Sequence, residues 1–155
     1  MQDRQRIVNA VYHSYARCRL NNTVIDDFYR YFLASSPKVA AKLKNTDLEM
    51  QKHLIDHAIR HMVLFFDNPS VITVAKMMAI AKSHAKSAMN IEPELYRLWR
   101  DAWLRALADN DPHFNPELAG QWRAVVNHTI ATLIALYDEC SPATRQEPDK
   151  CPNAT

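Results

Sequence analysis

DLEMQKHLIDHAIRHMVLFF, residues 47–66, is the stretch whose pattern decides the fold. With Ile55 as reference and about 100° per residue, Leu48, Ala58, Ile59, Met62 and Phe66 fall within about 60° of one direction, the buried stripe of an amphipathic helix. Gln51 falls in the same stripe, at about −40°. An amide there costs free energy unless a protein group or a ligand meets its donor and acceptor. His53 and His57 point roughly 160° away and His61 sits on a flank near −120°, so all three are expected in solvent. Histidines four residues apart can bind zinc or copper jointly, but a straight helix brings only adjacent members of the row onto one ion. A second element would have to complete such a site; without it the row is a titrating polar face.

Working outward, the chain is punctuated like a string of helices. Asn21-Asn22 interrupts a first run, and Thr23 is placed to cap a second containing Val24, Ile25, Phe28, Phe32 and Leu33. Pro37 ends that run and opens the short PKVAAKLKN helix; Thr46 and Asp47 then cap the long one. Asp67-Asn68-Pro69-Ser70 stops it and starts a helix through VAKMMAIAKSHAKSA. Glu92-Pro93 opens the next, with Tyr96, Leu98, Trp99, Trp103, Leu104 and Leu107, and Pro116-Glu117 opens the last, over about 116–139. Trp99 and Trp103 belong to the core or to a dimer face, the core being preferred. The prolines and polar residues of SPATRQEPDKCPNAT predict a flexible tail over 140–155. Six or seven helices, short connectors and no credible strand make an all-α single domain over 1–139.

Composition agrees. In 155 residues, 48% apolar and 23% charged, there is enough to bury one continuous core. A single glycine argues against a turn-dense β-sandwich and against a glycine-rich phosphate loop. A net charge of +2 predicts no nucleic-acid footprint, and no stretch approaches the roughly 18 uncharged residues of a membrane span. Cys18, Cys140 and Cys151 lie far apart with no CxxC pair, which reads as ordinary thiols in a reducing, cytoplasmic setting; the amino end lacks an export signal's apolar region.

Two further residues break their helix pattern. Tyr29, in the FYRYF block, has a hydroxyl that needs a partner if its ring is buried: a backbone group or something that is not protein. His84 lies one turn beyond Ile80 in a helix of small residues and lysines, where a close, flat neighbour fits. Ser83 before it can accept from the imidazole N–H and fix the tautomer, turning the other nitrogen toward a metal. One imidazole cannot make a closed zinc site, but it can be the axial ligand of a haem iron; otherwise it is a structural core residue.

FYRYFLASSP, with its tyrosine eight residues before the proline, KNTDLEMQ, SHAKSAMNIEPELY and the Trp122 helix together resemble a single-domain bacterial globin, over about residues 5–139. The chain is similar to the globin modules of flavohaemoglobins and globin-coupled sensors. The resemblance implies a globin-like fold of six to eight helices around one haem b. It makes His84 the proximal iron ligand, with Ser83 before it, Ile80 against the proximal face, Met89 and Ile91 along the haem edge and Tyr96 approaching the histidine. Tyr29 and Gln51 become the distal polar residues, and Leu54 and Ile55 the distal apolar ones. Leu43 stands where the family almost always has a phenylalanine packed on the haem, and Tyr137 where flavohaemoglobins place a proximal glutamate, with Glu139 two residues later. The implied function is reversible binding of a diatomic gas, most of all oxygen, with nitric oxide and carbon monoxide as other ligands. The alternatives are a nitric oxide dioxygenase served by a separate reductase and a stand-alone gas sensor. No nucleic-acid or membrane partner is implied, and the chain is expected to be a monomer or homodimer.

Overall fold

The computed structural model describes residues 2–138. Seven helices follow one another: α1 (Gln2–Asn21), α2 (Val24–Ser35), α3 (Pro37–Leu43), α4 (Leu48–Asp67), α5 (Val71–His84), α6 (Pro93–Asn110) and α7 (Pro116–Ala135). Among the described residues there is no strand, and no helix is long and apolar enough to cross a membrane.

The helix starts obey local chemistry where a polar side chain is free to cap. Ser36 accepts from the Lys38 N–H, Asp47 from those of Glu49 and Met50, Ser70 from that of Thr73 and Asn115 from that of Leu118. Prolines stand in the first turn of α3, α6 and α7, where a missing N–H costs nothing. Thr23 departs from expectation. It makes no side-chain cap on α2; its hydroxyl donates to the Asn110 carboxamide oxygen at 2.5 Å, and Asn110 in turn donates to Asp27 at 2.8 Å. The Thr23 backbone is itself helical (φ −109°, ψ −11°) rather than extended as a capping residue's is. The last helix also stops earlier than predicted: α7 ends at Ala135 and residues 136–138 form a turn. The tail predicted over 140–155 lies outside the described residues.

The core is aromatic at its centre. Trp103 and Trp122 are fully buried edge-to-face at 5.7 Å, Trp99 stacks on Trp103 at 6.1 Å, and Phe28 joins both Trp99 and Trp103 from α2. Both residues expected in the core are there, Trp99 at its edge. Beside them is a buried polar node. Asp111 accepts from the Arg17 guanidinium at 2.7 and 2.9 Å and from Ser14 Oγ at 2.7 Å, while the Trp122 indole N–H donates to Ser14 Oγ at 2.9 Å. Burial alone would push the Asp111 carboxyl up; the hydrogen bonds from Arg17, Ser14 and the His113 N–H outweigh it and hold the group below its ordinary range. The node joins α1 to the end of α6 and to α7.

The α4 stripe is largely as the phase predicts: Ile55, Ile59 and Met62 are buried, with Leu48, Ala58 and Phe66 at its margins. His53 and His57 are exposed, but His61 is half-buried and its Nε2 is sealed from solvent without a hydrogen-bond partner. The flank at −120° is covered because α5 packs against the end of α4, which phase alone does not show. Gln51 is half-buried rather than fully in the stripe, since it lies in the second turn, ahead of the fully packed part of the helix.

Candidate functional site

His84 is the last residue of α5, and its proton position follows from its neighbours. Nδ1 lies 2.8 Å from the Ile80 carbonyl and 2.9 Å from Ser83 Oγ, and Ser83 Oγ itself donates to the same carbonyl at 2.8 Å. A carbonyl can only accept, so the hydrogen sits on Nδ1, and the serine's lone pairs are left to share it. In the neutral ring Nε2 is therefore the bare lone pair, and it has no hydrogen-bond partner among the described residues. Burial keeps the ring neutral by pushing its pKa below 6.5 against the opposing pull of the Ile80 carbonyl. An uncharged imidazole with a fixed Nδ1–H is the form that binds a metal.

The ring is flanked by Tyr96 of α6, nearly parallel at a centroid distance of 6.5 Å. Tyr96 is buried, and its phenol is pushed up to about 12, first by burial and then by the nearby Tyr137. After His84 the chain folds back on itself. The N–H groups of Met89, Asn90 and Ile91 donate to the carbonyls of Ser83, Ala85 and His84 at 2.9–3.1 Å, which requires Asn90 to adopt the left-handed conformation (φ 50°) that Asn tolerates. The wrap is held from two sides. Lys42 Nζ of α3 donates to the Met89 carbonyl at 3.0 Å and Lys38 pairs with Glu92 and Glu94 at 3.5 and 3.3 Å. From the other side, the Tyr137 hydroxyl bonds Asn90, and the Lys86 N–H donates to the Tyr137 carbonyl at 3.2 Å. Tyr137, expected at the place of a proximal glutamate, thus reaches this loop rather than His84 itself.

The two other polar residues singled out in the sequence, Tyr29 and Gln51, stand on α2 and α4. The Tyr29 ring is buried against Phe28 at 5.0 Å, and its hydroxyl has no hydrogen-bond partner among the described residues, so the backbone partner that the sequence left open is not found there. Burial pushes its phenol up to about 12, with the Lys52 charge acting weakly against this. The Gln51 carboxamide likewise has no partner among the described residues, and the residue is half-buried. Ile55 is buried, Leu43, Ile80 and Ile91 are partly buried and packed on the core, and Leu54 and Met89 remain 52% and 51% exposed.

The structure gathers Ile80, Ser83, His84, Met89, Ile91 and Tyr96 around one loop, with Leu43 at the end of the helix strapped to it. Tyr29 and Gln51 stand on α2 and α4, which touch and are joined by the Lys52–Asp26 ion pair. Sequence reasoning missed Lys38, Lys42 and Asn90. The lysines stand at i, i+4 on α3, one face of a short helix, a visible signal that names no partner; nothing in the sequence marks Asn90. Among the described residues no group of three His, Cys, Asp or Glu is placed to hold a metal ion, the histidine row included.

A family model for globins matches residues 23–133. No curated protein matches the chain. Among solved structures, the protein PA3967 of Pseudomonas aeruginosa PAO1, described as structurally highly homologous to a human hemoglobin, superposes with a TM-score of 0.81. It is 39% identical, over 85% of this chain and 98% of that one. The matched family segment holds both the helix ending in the bare imidazole and the helix with the unpartnered phenol, and the chain belongs to the globin family.

Proposed function

We propose that this globin holds haem b by His84 Nε2 and reversibly binds a diatomic gas, oxygen foremost. The observation that carries the proposal is the His84 imidazole: neutral, its proton fixed on Nδ1 by the Ile80 carbonyl with Ser83 Oγ in reach, its Nε2 lone pair unengaged. The residues around it suit a flat apolar group. Ile80, Ile91 and Leu43 offer partly covered hydrocarbon beside the buried Ile55, and Leu54 and Met89 are exposed apolar side chains of the kind that a porphyrin edge would cover.

When bound, haem supplies a ferrous iron that takes up and releases the gas. The chain's own part is to orient and discriminate. Tyr29 keeps its proton throughout the physiological range, as an ordinary phenol does, and burial raises its pKa further to about 12, so its hydroxyl remains a donor. Gln51 adds a carboxamide N–H. Two donors without protein partners favour a ligand that gathers negative charge on binding, oxygen over carbon monoxide, since donation to an ionic acceptor is roughly twice as strong as to a neutral one.

The test is spectroscopic. The full chain supplied with haem is expected to show a Soret band that His84→Ala abolishes and His57→Ala leaves intact. No band after haem supplementation, or a band insensitive to His84, overturns the proposal.

A further inference from the structure

Helices α2 and α4 carry the two unpartnered donors, yet they touch along only a short stretch: α2 packs chiefly on α6 and α3, α4 chiefly on α7 and α1. Among the described residues one polar link crosses between them. Lys52 Nζ lies 2.8 Å from Asp26 Oδ1, and 2.7 Å from Glu49 on its own helix. Asp26 stands three residues before Tyr29, on the adjoining turn of the same face, and Lys52 follows Gln51 directly in the chain. Fixing Asp26 to Lys52 therefore fixes, together, the α2 turn that aims the phenol and the α4 turn that aims the carboxamide.

We infer that Asp26 and Lys52 are positioning residues for the gas site: their ion pair sets the spacing between the Tyr29 hydroxyl and the Gln51 amide, and with it how firmly the two donors hold a bound ligand. The inference rests on the proposed haem site and specifies what tunes it. Lys52 is the less exposed partner, 31% against 60% for Asp26. Exposed pairs of this kind are weak, which limits the effect to roughly a 1.4- to fivefold change in a rate. The pair acts as a fine adjustment on a site whose main determinants are Tyr29 and His84.

The test uses the full chain with haem and carbon monoxide as probe. Asp26→Asn and Lys52→Met are each expected to move the infrared C–O stretch of the ferrous adduct upward, as donors withdraw from the ligand, and to raise the oxygen dissociation rate about two- to fivefold. The exchanged pair, Asp26→Lys with Lys52→Asp, is expected to return both toward wild type, which a mere loss of local packing would not do. In the haem-free chain the same single substitutions should speed amide exchange at Tyr29 and Gln51 by a similar factor. If Tyr29→Phe shifts the C–O band while Asp26→Asn and Lys52→Met leave it and the amide exchange unchanged, the inference is overturned and the gas site stands. If Tyr29→Phe also leaves the band unmoved, the distal assignment itself falls, and this inference with it.

Discussion

At the scale of single residues, the site depends on where hydrogens sit. The Ile80 carbonyl fixes the proton on His84 Nδ1, and Ser83 Oγ lies within reach to share it. Ser83→Ala is expected to keep the Soret band, because the Ile80 carbonyl still demands the Nδ1–H. The ring becomes freer to turn, and an iron–histidine stretch measured by resonance Raman should broaden or shift. Tyr29 makes the opposite case, a donor with no substitute on its own helix. Tyr29→Phe is expected to raise the oxygen dissociation rate about tenfold or more, the loss of one charge-assisted hydrogen bond of about 1.5–3 kcal/mol, measured by stopped-flow displacement. Both of these residues could be picked from sequence because each breaks a helical pattern. His61 could not: its phase predicts solvent, and only the neighbouring helix half-buries it.

At the scale of elements, what matters is how helices are tied at points that sequence spacing does not reveal. The Asp111 node joins elements far apart in the chain, with Ser14 and Arg17 on α1 and Trp122 on α7. Removing the carboxylate strands a guanidinium and a buried hydroxyl. Asp111→Ala is therefore expected to cost about 3–5 kcal/mol in urea denaturation of the haem-free protein. Asp47→Ala, which removes a purely local cap on α4, should cost only about 1 kcal/mol. The contrast separates tertiary from local stabilisation. The strap from α3 to the loop after His84 is of the tertiary kind, as is the Thr23–Asn110 hydrogen bond.

For the whole molecule, two groups of titrating residues shape stability in separate pH windows. His61 and His84 both have pKa values lowered chiefly by burial. The unfolded chain then takes up protons first, so their contribution is intact above pH 6.5 and is lost as pH falls from there through the lowered folded values. Asp27 and Asp111 are held below 3.8, so the stability they lend is present above that value and disappears only at stronger acid. Thermal melts of the haem-free protein should show a first decline below about pH 6.5, and His61→Leu should flatten it; an equal decline in that variant would remove His61 from the account. Adding haem should raise the melting temperature at neutral pH in a concentration-dependent way, because a ligand of the native state stabilises it by mass action.

The sequence by itself determined the helices and most of their starts, because caps, prolines and apolar period act within a few residues of one another. It also marked His84, Tyr29 and Gln51, since a polar group on an apolar stripe is visible to phase alone. Tertiary structure alone decided that Thr23 serves Asn110, that His61 is covered, that Tyr137 bonds Asn90 and that Lys52 of α4 meets Asp26 of α2. Each of these is a choice among competing partners, settled by which helices pack together rather than by spacing along the chain.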